Sequence, residues 1–255
     1  MISVTETKGG RRKAALIRRA TIPDETAYRC SIPGCGRPSQ ARAGRGLSLY
    51  HCRYHIQFKN RHGSFWKGTY RAVELLPYRR AAERYLKVHR DDFWIVAALK
   101  ALRGLMDGAG PVERVSDVLE ILTPPQKARA ALARLRRRPI PPERLLAIHL
   151  AVTGAVREDP IGPGGPPNEY RLTQIAKAVH RLASGYDGYY GPRSAHEKYP
   201  RSAGLALRHL GSMLNECCEH VVREHLGGIL ALKTSLYGPR DINVCYDKVF
   251  HVGKP

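Results

Sequence analysis

The chain is 255 residues long, enough for one large domain or two small ones. Its 43 Lys and Arg stand against 22 Asp and Glu, a formal net charge of +21, and an ordinary hydrophobic share of 43% leaves material for a real core. No long apolar run suggests a transmembrane span and the basic stretches lack a strong Trp/Phe face, so the charge points to a soluble polyanion rather than to a membrane.

The charge is concentrated at one end. Residues 1–90 hold 20 Lys/Arg and 5 Asp/Glu, whereas residues 91–165 hold 11 and 9. A composition bias would spread the excess evenly. Residues 1–27 read as a basic, flexible arm punctuated by Arg11-Arg12-Lys13 and Arg18-Arg19. Met1-Ile2-Ser3-Val4-Thr5-Glu6-Thr7 lacks the charged-then-apolar layout of a signal peptide, so a cytoplasmic protein, with nucleoid association open to it, is expected. In that reducing setting the 6 cysteines read as thiols or metal ligands, not disulfides.

Residues 28–90 are expected to form a basic module. Its first part contains Cys30, Cys35, Cys52 and His55, with Gly34, Gly36, Pro38, Gly44 and Gly46 between them. Such a stretch cannot fold by apolar burial, whereas two pairs of thiol and imidazole ligands can close a tetrahedral zinc site that organises it. His51 competes with Cys52 as a ligand, because His51 and His55 are one turn apart on a helix. His62 is a weaker candidate.

A helical domain is expected over 91–158. Asp91-Asp92 can cap a helix carrying Phe93, Val96, Leu99, Leu102 and Met106, ended by Gly108 and Gly110. A second helix is predicted over 112–122. Thr123 with Gln126 fits a capping box ahead of Pro124-Pro125, and Pro141-Pro142 and Pro166-Pro167 open two further helices. Residues 159–167 read as a linker. The remaining segment, 168–255, should hold a helix from about 168 to 184, a Tyr/Gly loop at 185–192, a long helix over 202–235, and an irregular or β tail. The fold class is mainly α: a small N-terminal zinc module followed by a helical bundle with a long C-terminal helix.

Cys30-Ser31-Ile32-Pro33-Gly34-Cys35, then Gly46-Leu47, then Cys52-Arg53-Tyr54-His55 resembles the C-x4-C…C-x2-H zinc-binding segments of phage and bacterial proteins. Some of those are treble-clef-like knuckles and some precede an HNH nuclease core. The resemblance covers residues 28–66 and implies Cys30, Cys35, Cys52 and His55 as ligands of a structural Zn2+. This chain departs from the pattern in placing Ser48 directly after Gly46-Leu47. A nuclease core is disfavoured, because His51, Asn60 and His62 crowd into twelve residues and no Asp-Gly-Asn-type loop follows.

Around the ligands lie Arg29, Arg37, Arg42, Arg45, Arg53, Lys59, Arg61 and Lys67, with Trp66 as an aromatic for the surface and Tyr54 or Phe58 for the small core. Cations neutralise phosphates and aromatics stack on bases. Lys127, Arg129, Arg134, Arg136, Arg137 and Arg138 form a second basic cluster, read either as more footprint or as a solvated helix end. Cys217-Cys218 reads as core thiols, with Cys217 on the apolar stripe. The function expected is therefore zinc-stabilised binding of nucleic acid, DNA before RNA, with no catalytic residues assigned. The resemblance implies an accessory or regulatory role in a phage or mobile element. The rivals are an HNH-like nuclease and a protein-interaction scaffold. A homo-oligomer through the 202–235 helix is a further expectation.

Overall fold

Apolar residues at helical spacing begin near residue 72, and in the computed structural model so does the bundle. The structure describes residues 29–39, 41–42, 46–47, 50–112, 121–159, 167–183 and 204–240, with Gly10 and Ala14. Apart from those two residues the arm falls outside them, as do residues 160–166 of the linker, the Tyr/Gly loop, the C-terminal tail beyond Arg240 and most of the helix expected over 112–122. Before the bundle comes a short antiparallel ladder, β1 (Ala41–Arg42) and β2 (Gly46–Leu47), pairing Ala41 with Leu47 and Arg42 with Gly46. Helix α1 (Arg53–His62) completes this N-terminal part.

The bundle consists of α2 (Ala72–Val88), α3 (Phe93–Asp107), α4 (Pro124–Arg137), α5 (Pro142–Arg157), α6 (Pro167–Ala183) and α7 (Leu205–Tyr237). Asp92 caps α3, its Oδ1 accepting the Trp94 and Ile95 N–H groups at 2.9 and 3.2 Å. The Thr123 N–H donates to Gln126 Oε1 at 2.8 Å, closing the capping box of α4. Proline occupies the first turn of both α4 and α5, where its missing N–H costs nothing.

Helices α5 and α7 form the middle of the bundle. Leu145, Leu146, Ala147, Leu150, Ala151, Val152 and Ala155 bury almost every side of α5. Helix α7 packs on α2, α3, α4, α5 and α6 and buries Leu207, Leu210, Leu214, Cys218 and Val221 within the chain itself. The apolar stripe of the helix expected over 202–235 thus belongs to the chain's own core. Cys218 is the fully buried thiol of its pair; Cys217 is only partly buried. Small residues let the helices close up. A Cβ on Gly211 would lie 2.3 Å from the Leu172 carbonyl oxygen, and one on Gly228 would lie 2.9 Å from the Tyr85 ring. Gly228 therefore marks a close approach inside an unbroken helix.

Three of the six cations of the second basic cluster are used inside the bundle, while Arg129 is exposed. Arg136 donates to the carbonyls of Met106, Asp107 and Gly110 at the end of α3. Arg134, buried, donates to Ala183 O, and Arg138 to Leu182 O. A helix C-terminus presents carbonyls without partners, and guanidinium groups satisfy them.

The N-terminal part joins the bundle along a polar seam. Gly63 ends α1 at φ +78, and a Cβ there would lie 2.8 Å from Glu169 O. Gln174 donates to His62 O at 2.8 Å, and Tyr170 to Gly68 O at 2.8 Å. Asp159, its side chain 2% exposed, is held by Lys67, by Arg240 at 3.3 Å and by the Tyr70 hydroxyl at 2.7 Å. Beside it Lys233 pairs with Glu158 at 2.7 Å. Among the described residues, no helix is long and apolar enough to cross a membrane.

Candidate metal centre

The first two cysteines converge because the chain turns twice on glycine. Gly34 (φ +74) and Gly36 (φ +59) adopt the left-handed conformation that glycine tolerates best. The Cys35 N–H closes the turn on Ile32 O at 3.1 Å, and the Cys30 N–H bonds Arg37 O at 2.8 Å. The second pair comes from the start of α1. Cys52 is its N-cap, in extended conformation, and His55 lies in its first turn.

The four side chains meet. Their ligand atoms lie within 4.8 Å of one another, and Cys30, Cys52 and His55 are buried. Cys30 Sγ is 3.2 Å and Cys52 Sγ 3.4 Å from His55 Nδ1, and Cys35 Sγ is 3.8 Å from Cys52 Sγ. A tetrahedral ion with M–S bonds of about 2.3 Å and an M–N bond of about 2.0 Å sets S···S edges near ~3.8 Å and S···N edges near ~3.5 Å. The cluster has the dimensions to hold a metal ion.

The electrostatics agree. Burial pushes the Cys35 thiol up to about 11, with the Cys52 and Cys30 thiols adding to it against the Arg37 N–H. For Cys52 burial acts in the same direction, but the His55 N–H and its sulfur neighbours outweigh it and hold this thiol below its ordinary value. Burial, then Arg37 and His51, lower His55 and keep its ring neutral as a ligand must be. Three thiolates in this space repel one another, and a bound cation removes that penalty.

His51 is not in the cluster. It stacks on Phe65 with ring centroids 3.6 Å apart, its Nε2 3.4 Å from Ser31 Oγ. The reason is local. Side chains on extended backbone alternate sides, so one of residues 51 and 52 faces the other three ligand atoms and the other faces away. His62 is also elsewhere: it stacks on Phe58, and its Nδ1 meets Thr69 Oγ1 at 2.9 Å.

Outside the cluster, Arg29, Arg37, Arg53 and Arg61 are exposed. Lys59 pairs with Glu169 at 3.3 Å and lies over the Phe65 ring. Lys67 is only 14% exposed and is held by Asp159, while Trp66 is half-buried. The side chain of Arg42, and Arg45 altogether, fall outside the described residues. Of the two aromatics expected for the small core, Tyr54 is 42% exposed and Phe58 is partly buried. The Arg37 guanidinium sits 4.9 Å above the Tyr54 ring, and the two border a cleft of about 420 Å³ completed by Pro38, Cys52, Arg53 and Gln57. Sequence spacing did not single out Gln57. Its signal was available: it is one turn on from Arg53 in a helix whose other face carries His55 and Ile56.

No protein-family model matches the chain, and no curated protein or solved structure matches it either.

Proposed function

We propose that the chain is a zinc-stabilised nucleic-acid-binding protein, favouring DNA over RNA. The observation that carries this reading is the cleft beside the metal cluster, where Arg37, Arg53 and Gln57 surround the exposed ring of Tyr54. Guanidinium groups bind phosphate, an aromatic face stacks on a base, and an amide pairs with a base edge. The net charge of +21 would raise the encounter rate with such a partner. The resemblance of the ligand spacing to phage and bacterial modules fits an accessory or regulatory role in a mobile element.

Zinc is the ion that three thiolates and one imidazole suit best. Four protein ligands leave no position for water, which makes the ion an organiser of the cleft rather than a reagent. Residues Cys30, Cys35, Cys52 and His55 would hold it. Elemental analysis should then find one zinc per chain, and cobalt substitution should give the absorption of a tetrahedral thiolate site. Cys52→Ser should abolish both, while His51→Ala keeps them. Retention of metal by Cys52→Ser would refute this ligand set.

For the partner, the expected result is anisotropy of labelled DNA, duplex and single-stranded, whose affinity falls steeply with salt. Tyr54→Ala and Arg37→Ala should each weaken binding roughly tenfold, about 1.4 kcal/mol, within the range of a lost stacking or charged contact. No binding at low salt would overturn the reading and leave a protein partner as the one to seek.

A further inference from the structure

Lys177 is a partly buried cation on α6 that no carboxylate pairs with among the described residues. Its ammonium donates to Thr69 Oγ1 at 2.8 Å and to His62 Nδ1 at 3.0 Å, which uses two of its three N–H groups. Both acceptors are neutral. Burial, then Lys177 and Arg61, lower His62 to about 4, so its ring carries no charge near neutral pH.

Among the described residues, two guanidinium groups act on this ammonium. Arg61 precedes His62 on α1 and is exposed; Arg181 lies one turn beyond Lys177 on α6 and is exposed. Burial first, and then these two guanidinium groups, push Lys177 down to about 8. Of the two helices that meet here, α1 has no acidic residue, and α6 has only Glu169, which Lys59 and Arg208 hold two turns away. A cation taken partly out of water with only neutral partners is costly, and an anion at its third N–H would relieve the cost.

Resting on the nucleic-acid reading above, we propose that Lys177, flanked by Arg61 and Arg181, is a phosphate site for the same strand that enters the Tyr54 cleft. Helix α1 is the ruler between the two. Arg53 at its start borders the cleft and Arg61 near its end borders Lys177, a separation of roughly 12 Å along the axis. That is the rise of about three to four nucleotides at ~3.4 Å each. The strand would cross from the metal module to the bundle at this seam, and the bundle would thereby supply part of the binding surface.

The test is a salt series of DNA affinity for the full chain, zinc-loaded, with Lys177→Met, Arg61→Ala and Arg223→Ala beside the unaltered protein. Arg223 is an exposed cation on α7 that controls for loss of charge alone. Lys177→Met and Arg61→Ala should each reduce the slope of log affinity against log salt by about 1, with Arg223→Ala unchanged. Zinc content and Tm of Lys177→Met should hold, because the variant removes a charge that has no acidic partner. If the unaltered protein binds no DNA, the nucleic-acid reading fails and this site with it. If it binds, and Lys177→Met keeps the full slope, the seam site alone is overturned. A marked fall in Tm with unchanged slope would identify Lys177 as a structural donor to Thr69 and His62.

Discussion

Among the described residues, His149, His180 and His62 are the histidines pushed furthest below the ordinary imidazole range. Burial, reinforced by Arg171, lowers His149 to about 3; burial, reinforced by Arg134, lowers His180 to about 4; His62 is also near 4. In the unfolded chain each takes up a proton near pH ~6.5. Since the folded values are lower, the unfolded state binds more protons between them, and stability is complete above pH ~6.5 and lost as pH falls toward ~4. His149→Leu should remove one share of that loss. The difference between unaltered protein and variant, read from urea midpoints, should narrow by about 2 kcal/mol between pH ~6.5 and ~5. Equal acid sensitivity in both would show that His149 is protonated in the fold. The same scale shows what sequence could and could not tell. The two ligand pairs were legible because each is local, spaced to fit one turn. Which of His51 and Cys52 turns inward was not, since both lie at the mouth of α1 and only the extended backbone there decides. Which of Tyr54 and Phe58 turns inward was open for a related reason: a ten-residue helix with few apolar residues carries too weak a stripe to tell its faces apart. Lys177 and His62, 115 positions apart, meet only in the folded chain.

At the scale of the element, α7 contains two kinds of glycine. A Cβ at Gly211 meets the Leu172 backbone, which cannot yield, while one at Gly227 meets nothing within 4 Å. Gly211→Ala should therefore destabilise by about 1–3 kcal/mol through overpacking, and Gly227→Ala should stabilise by about 0.5–1 kcal/mol through helix propensity. Thermal melts of the two single variants would separate them, and a stabilising Gly211→Ala would contradict the close approach of α6 and α7. The start signals of α3 and α4 were readable because a cap is chemistry over four residues, and that of α5 because proline suits a first turn. The roles of the arginines in the last turn and C-cap of α4 were not. A run of cations looks the same whether it faces solvent or the carbonyl ends of α3 and α6, and that depends on which helices turn back to meet it.

Taken as a whole, the molecule is stabilised in two different ways. The bundle has a continuous apolar core running from Ala81 on α2 to Ile229 on α7. Among the described residues of 29–62, the buried apolar side chains are Cys30, Cys52 and Ile56. Chelation of the metal should therefore leave the far-ultraviolet signature of α2–α7 nearly intact while amide exchange accelerates across residues 29–62. A single cooperative loss of all helix on chelation would show instead that the bundle depends on the ion.

The clamp at Asp159 bears on how any such protein is handled at the bench. Lys67, Arg240 and the Tyr70 hydroxyl surround a carboxylate whose side chain is 2% exposed. Mobile ions weaken attractions between charges in water, with a screening length of about 8 Å at physiological strength, but they have little access to a group so enclosed. The joint between metal module and bundle should accordingly keep its form from dilute buffer to brine. Whatever a rising salt concentration strips away will be a ligand on the outside, not the protein's hold on itself.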